Sequence, residues 1–72
     1  SLKNKLSTLE SDIAGLEKEI AKTDHDLLMD YDTTIAIPDF FDTYQAKKKK
    51  LEELMIKWEN VTLELENSGM EG

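Results

Sequence analysis

The first half of the chain repeats apolar side chains at alternating steps of three and four residues. This rhythm averages 3.5 residues and places every member on one side of a helix, as the seam of a coiled coil requires. It predicts a helix over about residues 2–29, although Ser7-Thr8-Leu9-Glu10 also fits a capping box that would start the helix later. The first seam consists of Leu6, Leu9, Ile13, Leu16, Ile20, Thr23 and Leu27.

The second half repeats the same rhythm and predicts a helix over about residues 43–67. Asp42 fits the N-cap position, and Gln45 completes a capping box. Ser68 and Gly69 supply a stop signal, and a frayed tail is expected over residues 70–72. The second seam consists of Tyr44, Lys48, Leu51, Met55, Trp58, Thr62 and Leu65, with Leu54 and Val61 beside it.

The connector, about residues 30–42, lacks a helical pattern. Three consecutive residues from Thr33 to Ile35 are β-branched, and Pro38 biases the residue before it away from helical geometry. Phe40 and Phe41 make this end of the chain apolar, and two interpretations stay open. Either the apolar end folds back to close the hairpin, or it is a surface for partner contact.

The two seams have equal lengths and fit each other when the helices run antiparallel. This alignment pairs Leu16 with Met55, Ile13 with Trp58, and Leu27 with Tyr44. We therefore expect an all-α fold, a two-helix antiparallel coiled-coil hairpin that forms one domain over residues 1–72. The residues assigned to its core are Leu16, Leu51, Met55 and Trp58.

The charge balance restricts the expected partners. The 72 residues include 16 acidic and nine basic side chains, for a formal net charge of −7. Such a chain is repelled by nucleic-acid phosphates and by anionic lipids. No apolar run approaches the length of a membrane span, and charges interrupt any candidate signal peptide. A cytoplasmic protein without a membrane partner is expected.

Candidate chemistry is sparse. The chain has no cysteine, which excludes disulfides and thiolate metal sites. Several aspartates between Asp24 and Asp32 suggest a calcium loop, but the glycine and glutamate that such a loop needs are missing. His25 has no nucleophile or pocket residues around it. We expect no catalytic residue, no cofactor and no metal ion in this domain.

The basic run 47–50 is the one candidate for nucleic-acid contact. Consecutive helical residues step about 100° apart, so the four lysines spread around the helix and do not line one face. The alternative to a phosphate-binding patch is a solvated helix turn whose lysines pair with nearby acidic residues. Lys47 and Lys50 share a face, and Lys18 and Lys22 could approach from the other helix. These four lysines are the candidate phosphate contacts.

Short motifs resemble the C-terminal coiled-coil domain of ABC-F proteins, the Uup-type soluble ATP-binding-cassette proteins. The family signature R/K-W-E-x-hydrophobic is matched by Lys57-Trp58-Glu59-Asn60-Val61. A repeated Leu-Glu pattern in the first helix is matched by Leu9-Glu10 and Leu16-Glu17. An aspartate followed by two bulky residues in the connector is matched by Asp39-Phe40-Phe41.

The resemblance implies a non-catalytic coiled-coil domain that belongs to a longer ABC-F ATPase. ATP and Mg²⁺ would bind to the ATPase cassettes of that same chain, which act on ribosomes. The domain would assist docking on a nucleic-acid-rich target, a ribosome or DNA, and its own contribution to nucleic-acid binding would be weak. The alternative is a generic protein-interaction or spacer coiled coil of a larger assembly.

Overall fold

The computed structural model describes residues 1–69 and contains three helices in that range. They are α1 (Leu2–Met29), α2 (Tyr31–Ile35) and α3 (Phe40–Gly69). The all-α prediction is confirmed, but the chain forms three helices where two were expected. The predicted frayed tail 70–72 lies outside the described residues.

Helix α1 has the bounds that the first seam predicts, and it begins at Leu2 and not at the alternative capping box. Ser1 is its N-cap, because the Ser1 hydroxyl oxygen accepts a hydrogen bond from the backbone N–H of Asn4 at 3.3 Å. The helix ends where the Asp30 N–H donates to the carbonyl of Asp26 and Asp30 leaves helical geometry.

Helix α2 forms in the connector, so the prediction of a non-helical segment is wrong for Tyr31–Ile35. Thr34 accounts for the difference. Its side chain is 6% exposed, and its hydroxyl donates to the carbonyls of Asp26 and Asp30 at 3.2 and 2.7 Å. This contact docks α2 onto the end of α1 and offsets the low helix propensity of β-branched residues.

Helix α3 begins at Phe40, three residues before the predicted start. Asp39 adopts the left-handed conformation, with φ of 58°, and its carbonyl accepts the backbone N–H of Thr43 at 3.0 Å. Aspartate tolerates this conformation better than most residues do. Asp42 therefore lies in the first turn and is not the N-cap, and the helix continues to Gly69.

Helices α1 and α3 pack along each other. Asp24 contacts Tyr44, and Glu10 contacts Trp58. In both contacts, long polar side chains reach across the interface between the two helices. Leu16 and Leu54 line one depression between the helices, so Leu54 lies beside Leu16 where the sequence pairing has Met55.

The residues of α3 that face α1 differ in part from the predicted seam. The most buried apolar side chains are Ile20, Phe40 and Leu54, at 8%, 9% and 6% exposure. Of the predicted core, Leu16 and Leu51 are partly buried. Met55 is 49% exposed and Trp58 is 36% exposed, so the assignment of these two residues to the core is wrong. The seam that starts at Phe40 passes through Leu54 and not through Met55. The predicted pairing of Leu16 with Met55 is therefore wrong.

Replacing Thr34 with valine tests the docking of α2. The valine keeps the shape but loses both hydroxyl contacts, while each accepting carbonyl keeps a backbone bond. We expect the free energy of unfolding to fall by about 0.5–1.5 kcal/mol. Urea denaturation followed by circular dichroism gives the value. Thr33→Val, at an exposed neighbouring position, is the matched control; equal losses for both would contradict a role for the Thr34 hydroxyl.

Candidate interaction surfaces

Apolar side chains are exposed at the end of the molecule that holds the connector. We call them the connector surface. Since Asp24 contacts Tyr44, the residues between them lie at that same end. Large exposed apolar groups of this kind mark interaction sites more often than single scattered ones do. The surface consists of Leu28, Met29, Tyr31, Ile37 and Phe41, which are 81%, 69%, 53%, 56% and 51% exposed.

The two phenylalanines predicted as partner contacts have different environments. Phe40 is buried, with its ring stacked on Tyr44 at 5.7 Å between centroids. It also meets Phe41 edge to face at 5.1 Å. Phe41 leaves half of its side chain in solvent. Phe40 is thus part of the packing that closes this end, and Phe41 alone presents a free surface. The burial of Phe40 fits the interpretation in which the apolar end closes the hairpin, and partner contact by Phe41 stays a prediction.

The connector end is also strongly acidic. Six aspartates and no lysine or arginine lie between residues 23 and 46. All six are exposed, and the Asp24 carboxylate accepts a hydrogen bond from the Tyr44 hydroxyl. Carboxylates therefore alternate along the chain with the exposed apolar side chains, and the segment contains no lysine or arginine. The aspartates are Asp24, Asp26, Asp30, Asp32, Asp39 and Asp42.

The lysine run of α3 makes local contacts. Lys47 Nζ lies 3.6 Å from a carboxylate oxygen of Glu19. Lys48 Nζ lies 4.5 Å from the centre of the Tyr44 ring, within range of a cation–π contact. Lys50 lines a shallow depression together with Asp12 and Glu19 of α1. Acidic groups thus lie beside the candidate phosphate contacts.

The two candidate lysines of α1 lie away from this run. Lys18 is two residues from both Leu16 and Ile20, which face α3, so it lies on the far side of the helix at about 100° per residue. Lys22 is two residues after Ile20 and is likewise exposed. The geometry does not bring Lys18 and Lys22 onto one face with Lys47 and Lys50.

The opposite end holds the motif residues around Trp58. The indole Nε1 of Trp58 donates to a carboxylate oxygen of Glu10 at 3.2 Å. Lys57 and Val61 line an open groove of about 580 Å³ together with Leu9. Two segments that carry separate parts of the family resemblance therefore meet at one place between α1 and α3.

Two further features of residues 1–69 concern candidate chemistry. Within this range, no three His, Asp or Glu side chains converge as ligands of a metal ion. The exposed aspartates of the connector end are dispersed along three helices and the turn between α2 and α3. No helix in the same range combines the length and the apolar character that a membrane span needs.

Comparison of the chain with models of protein families, with curated proteins and with solved structures gave no significant match in any of the three. The resemblance to the ABC-F coiled-coil domain stays a prediction from the motif residues.

Sequence reasoning missed the acidic apolar character of the connector end. The aspartates from Asp24 to Asp32 were considered only as a calcium loop. The uneven distribution of acidic and basic residues along the chain was not used. The signal was present in the sequence, because six of the 16 acidic residues and none of the nine basic ones lie between residues 23 and 46. The exposure of Leu28 and Met29 had a signal too, since the first seam ends at Leu27 and leaves both residues outside it.

The lysines predict a weak, salt-sensitive affinity of the chain for nucleic acid. With two lysines on a face, we expect a slope of log affinity against log salt of about −2 on duplex DNA. Fluorescence anisotropy with labelled DNA and RNA across a salt series measures it. Lys47→Gln with Lys50→Gln should abolish the residual binding, whereas Lys3→Gln with Lys5→Gln, the matched charge change, should not. Binding that survives moderate salt, or that ignores the first pair, would contradict the prediction.

Proposed function

We propose that this chain is the C-terminal coiled-coil domain of an ABC-F ATP-binding protein. In this proposal α1 and α3 form an antiparallel two-helix hairpin that assists docking of the ATPase on a nucleic-acid-rich target, a ribosome or DNA. The domain itself is non-catalytic. ATP and Mg²⁺ belong to cassettes elsewhere in the same protein, and the cassettes are its partners within the chain.

The contact between Trp58 and Glu10 carries the proposal. These residues lie 48 positions apart, and each belongs to a different part of the family resemblance. The resemblance implies a two-helix hairpin, and in such a hairpin these two segments lie side by side. Here the tryptophan of the Lys57-Trp58-Glu59 motif bonds to the glutamate of the first Leu-Glu pair across the two helices.

The start of α3 supports the same assignment. The third motif is Asp39-Phe40-Phe41. Asp39 supplies the left-handed residue and the first accepting carbonyl, and Phe40 supplies the buried ring that closes the connector end. Each residue type in the motif thus has a physical task in ending the connector and beginning the second long helix.

The contacts along α1 and α3 support the hairpin geometry. Asp24 meets Tyr44, Glu19 meets Lys47, and Glu10 meets Trp58, so contacts run in reverse order along the two helices. The described residues extend over 55 × 18 × 15 Å. A long, narrow body suits a module that projects from a larger protein and reaches a distant surface.

A second candidate function is a protein-interaction or spacer coiled coil of an unrelated assembly. The exposed apolar side chains of the connector surface favour it, since a docking surface needs no ATPase. Both candidates predict a non-catalytic hairpin, and they differ in the protein to which the hairpin is attached.

Deleting residues 1–72 from the full-length protein distinguishes the two functions. We expect the intact protein to hydrolyse ATP and to co-sediment with ribosomes or to bind DNA. The deletion should weaken that association about tenfold and leave ATP hydrolysis within about twofold. A full-length protein without nucleotide-binding cassettes, or a deletion without effect on association, would overturn the ABC-F assignment.

A further inference from the structure

The connector end concentrates the negative charge of the molecule. Between residues 23 and 46 there are six aspartates and no lysine or arginine. Elsewhere the chain has ten acidic and nine basic residues, out of totals of 16 and nine, and is nearly balanced. The charge therefore favours cationic partners at this end only, over a distance set by the Debye length of about 8 Å at physiological salt.

The same end exposes the apolar connector surface. Leu28 and Met29 are its most exposed side chains, at 81% and 69%. Ile37 lies in the turn that leads into α3 and is 56% exposed. Exposed apolar side chains in a charged segment are a composition that fits a protein–protein interface.

The negative charge of the aspartates determines which class of partner can bind at the connector surface. Nucleic acid and anionic membranes would bring phosphates against the aspartates, which is repulsive. A second copy of this end would bring the same negative charge and is disfavoured for the same reason. A surface with apolar side chains inside a border of lysine and arginine complements the end in both respects.

We propose that the connector surface is a docking site for a basic protein surface, one whose apolar side chains are bordered by lysine and arginine. Leu28, Met29, Tyr31, Ile37 and Phe41 supply the apolar contact. The aspartates steer the partner and fix its orientation.

This inference goes beyond the family assignment and does not depend on it, because it uses only the exposure and charge of described residues.

The test uses the whole 72-residue chain, labelled with ¹⁵N, and three defined probes. The first is a 15-residue amphipathic peptide of lysine and leucine, the second is the same peptide with glutamate in place of lysine, and the third is a 20-base-pair DNA duplex. We expect the lysine peptide to bind and to shift amide signals of residues 24–46, and we expect the other two probes to leave that segment unchanged.

Matched variants distinguish binding at the connector surface from non-specific binding to exposed apolar side chains elsewhere. Leu28→Ser with Ile37→Ser should weaken binding of the lysine peptide about tenfold or more. Ile56→Ser with Leu63→Ser, at positions 55% and 52% exposed on α3, should leave the affinity within about twofold. Circular dichroism confirms that the variants keep their helices, which is expected because all four positions are exposed.

A second pair of variants tests the charge. Asp26→Asn with Asp32→Asn should weaken binding and flatten its salt dependence, whereas Glu52→Gln with Glu59→Gln should do neither. Four outcomes overturn the proposal. These are no binding of the lysine peptide, amide shifts centred outside residues 24–46, equal effects of test and control variants, or equal binding of the glutamate peptide or the duplex at this end.

Discussion

Replacing Phe40 with alanine is expected to lower the free energy of unfolding by about 3–5 kcal/mol, the range for a buried phenylalanine. Phe40 is 9% exposed, stacks on Tyr44, and begins α3 beside the left-handed Asp39. Its removal leaves a cavity where the connector, α1 and α3 meet. A small domain has about 5–15 kcal/mol of stability at most, so much of the population should unfold.

Phe41→Ala is the matched control, because the neighbouring ring has the same chemistry and a different environment. Phe41 is 51% exposed, and its main aromatic contact is the edge-to-face pair with Phe40. We expect a loss of about 0.5–1.5 kcal/mol. Urea denaturation followed by circular dichroism gives both values under one set of conditions. Equal losses would mean that Phe40 does not close the connector end.

Helix α1 could be predicted from the sequence because its signals are local. The first seam repeats without a competing apolar stripe, and its charged residues occupy the remaining faces. Periodicity of this kind fixes both the type of element and its orientation toward the partner. The structure accordingly gives α1 the predicted bounds, Leu2–Met29.

Helix α2 could not be predicted, because the interaction that stabilises it is not local. The Thr34 hydroxyl reaches the Asp26 carbonyl, eight residues earlier, only after the chain has turned back on α1. Propensity alone disfavours three β-branched residues in a row. The start of α3 has a similar cause, since Asp39 adopts a left-handed conformation that no pattern of apolar residues records.

In the candidate site, too, some features have local sequence signals and others depend on packing. The acidic character of the connector end is a property of the sequence, and it could be counted there. The burial of Phe40 and the exposure of Phe41 are properties of the packing, and two adjacent phenylalanines gave no reason to separate them. Sequence alone therefore predicted an apolar end but could not say which ring faces solvent.

The register of α3 was ambiguous for a physical reason. Leu54 and Met55 are adjacent apolar residues, and either can continue a rhythm of threes and fours from Leu51. The choice depends on where the helix begins, because the seam must pass through its first buried residue. With α3 starting at Phe40, the seam passes through Leu54.

Leu54→Ala is therefore expected to destabilise the protein strongly, and Met55→Ala is not. Leu54 is 6% exposed and lines the interhelical depression with Leu16, so its truncation should cost about 2–5 kcal/mol. Met55 is 49% exposed, and its truncation should cost about 0.5 kcal/mol or less. Alanine also has high helix propensity, so neither change should weaken the helix itself.

The two variants distinguish the two registers by the order of their stabilities. In the register of the structure, Leu54 is the more costly position. In the register predicted from the sequence, where Met55 faces Leu16, the order reverses. Thermal and urea unfolding of both variants decides between them, and Ile56→Ala, at a 55% exposed position, gives the baseline for an outer-face truncation. A larger loss for Met55→Ala than for Leu54→Ala would overturn the assignment of Leu54 to the seam.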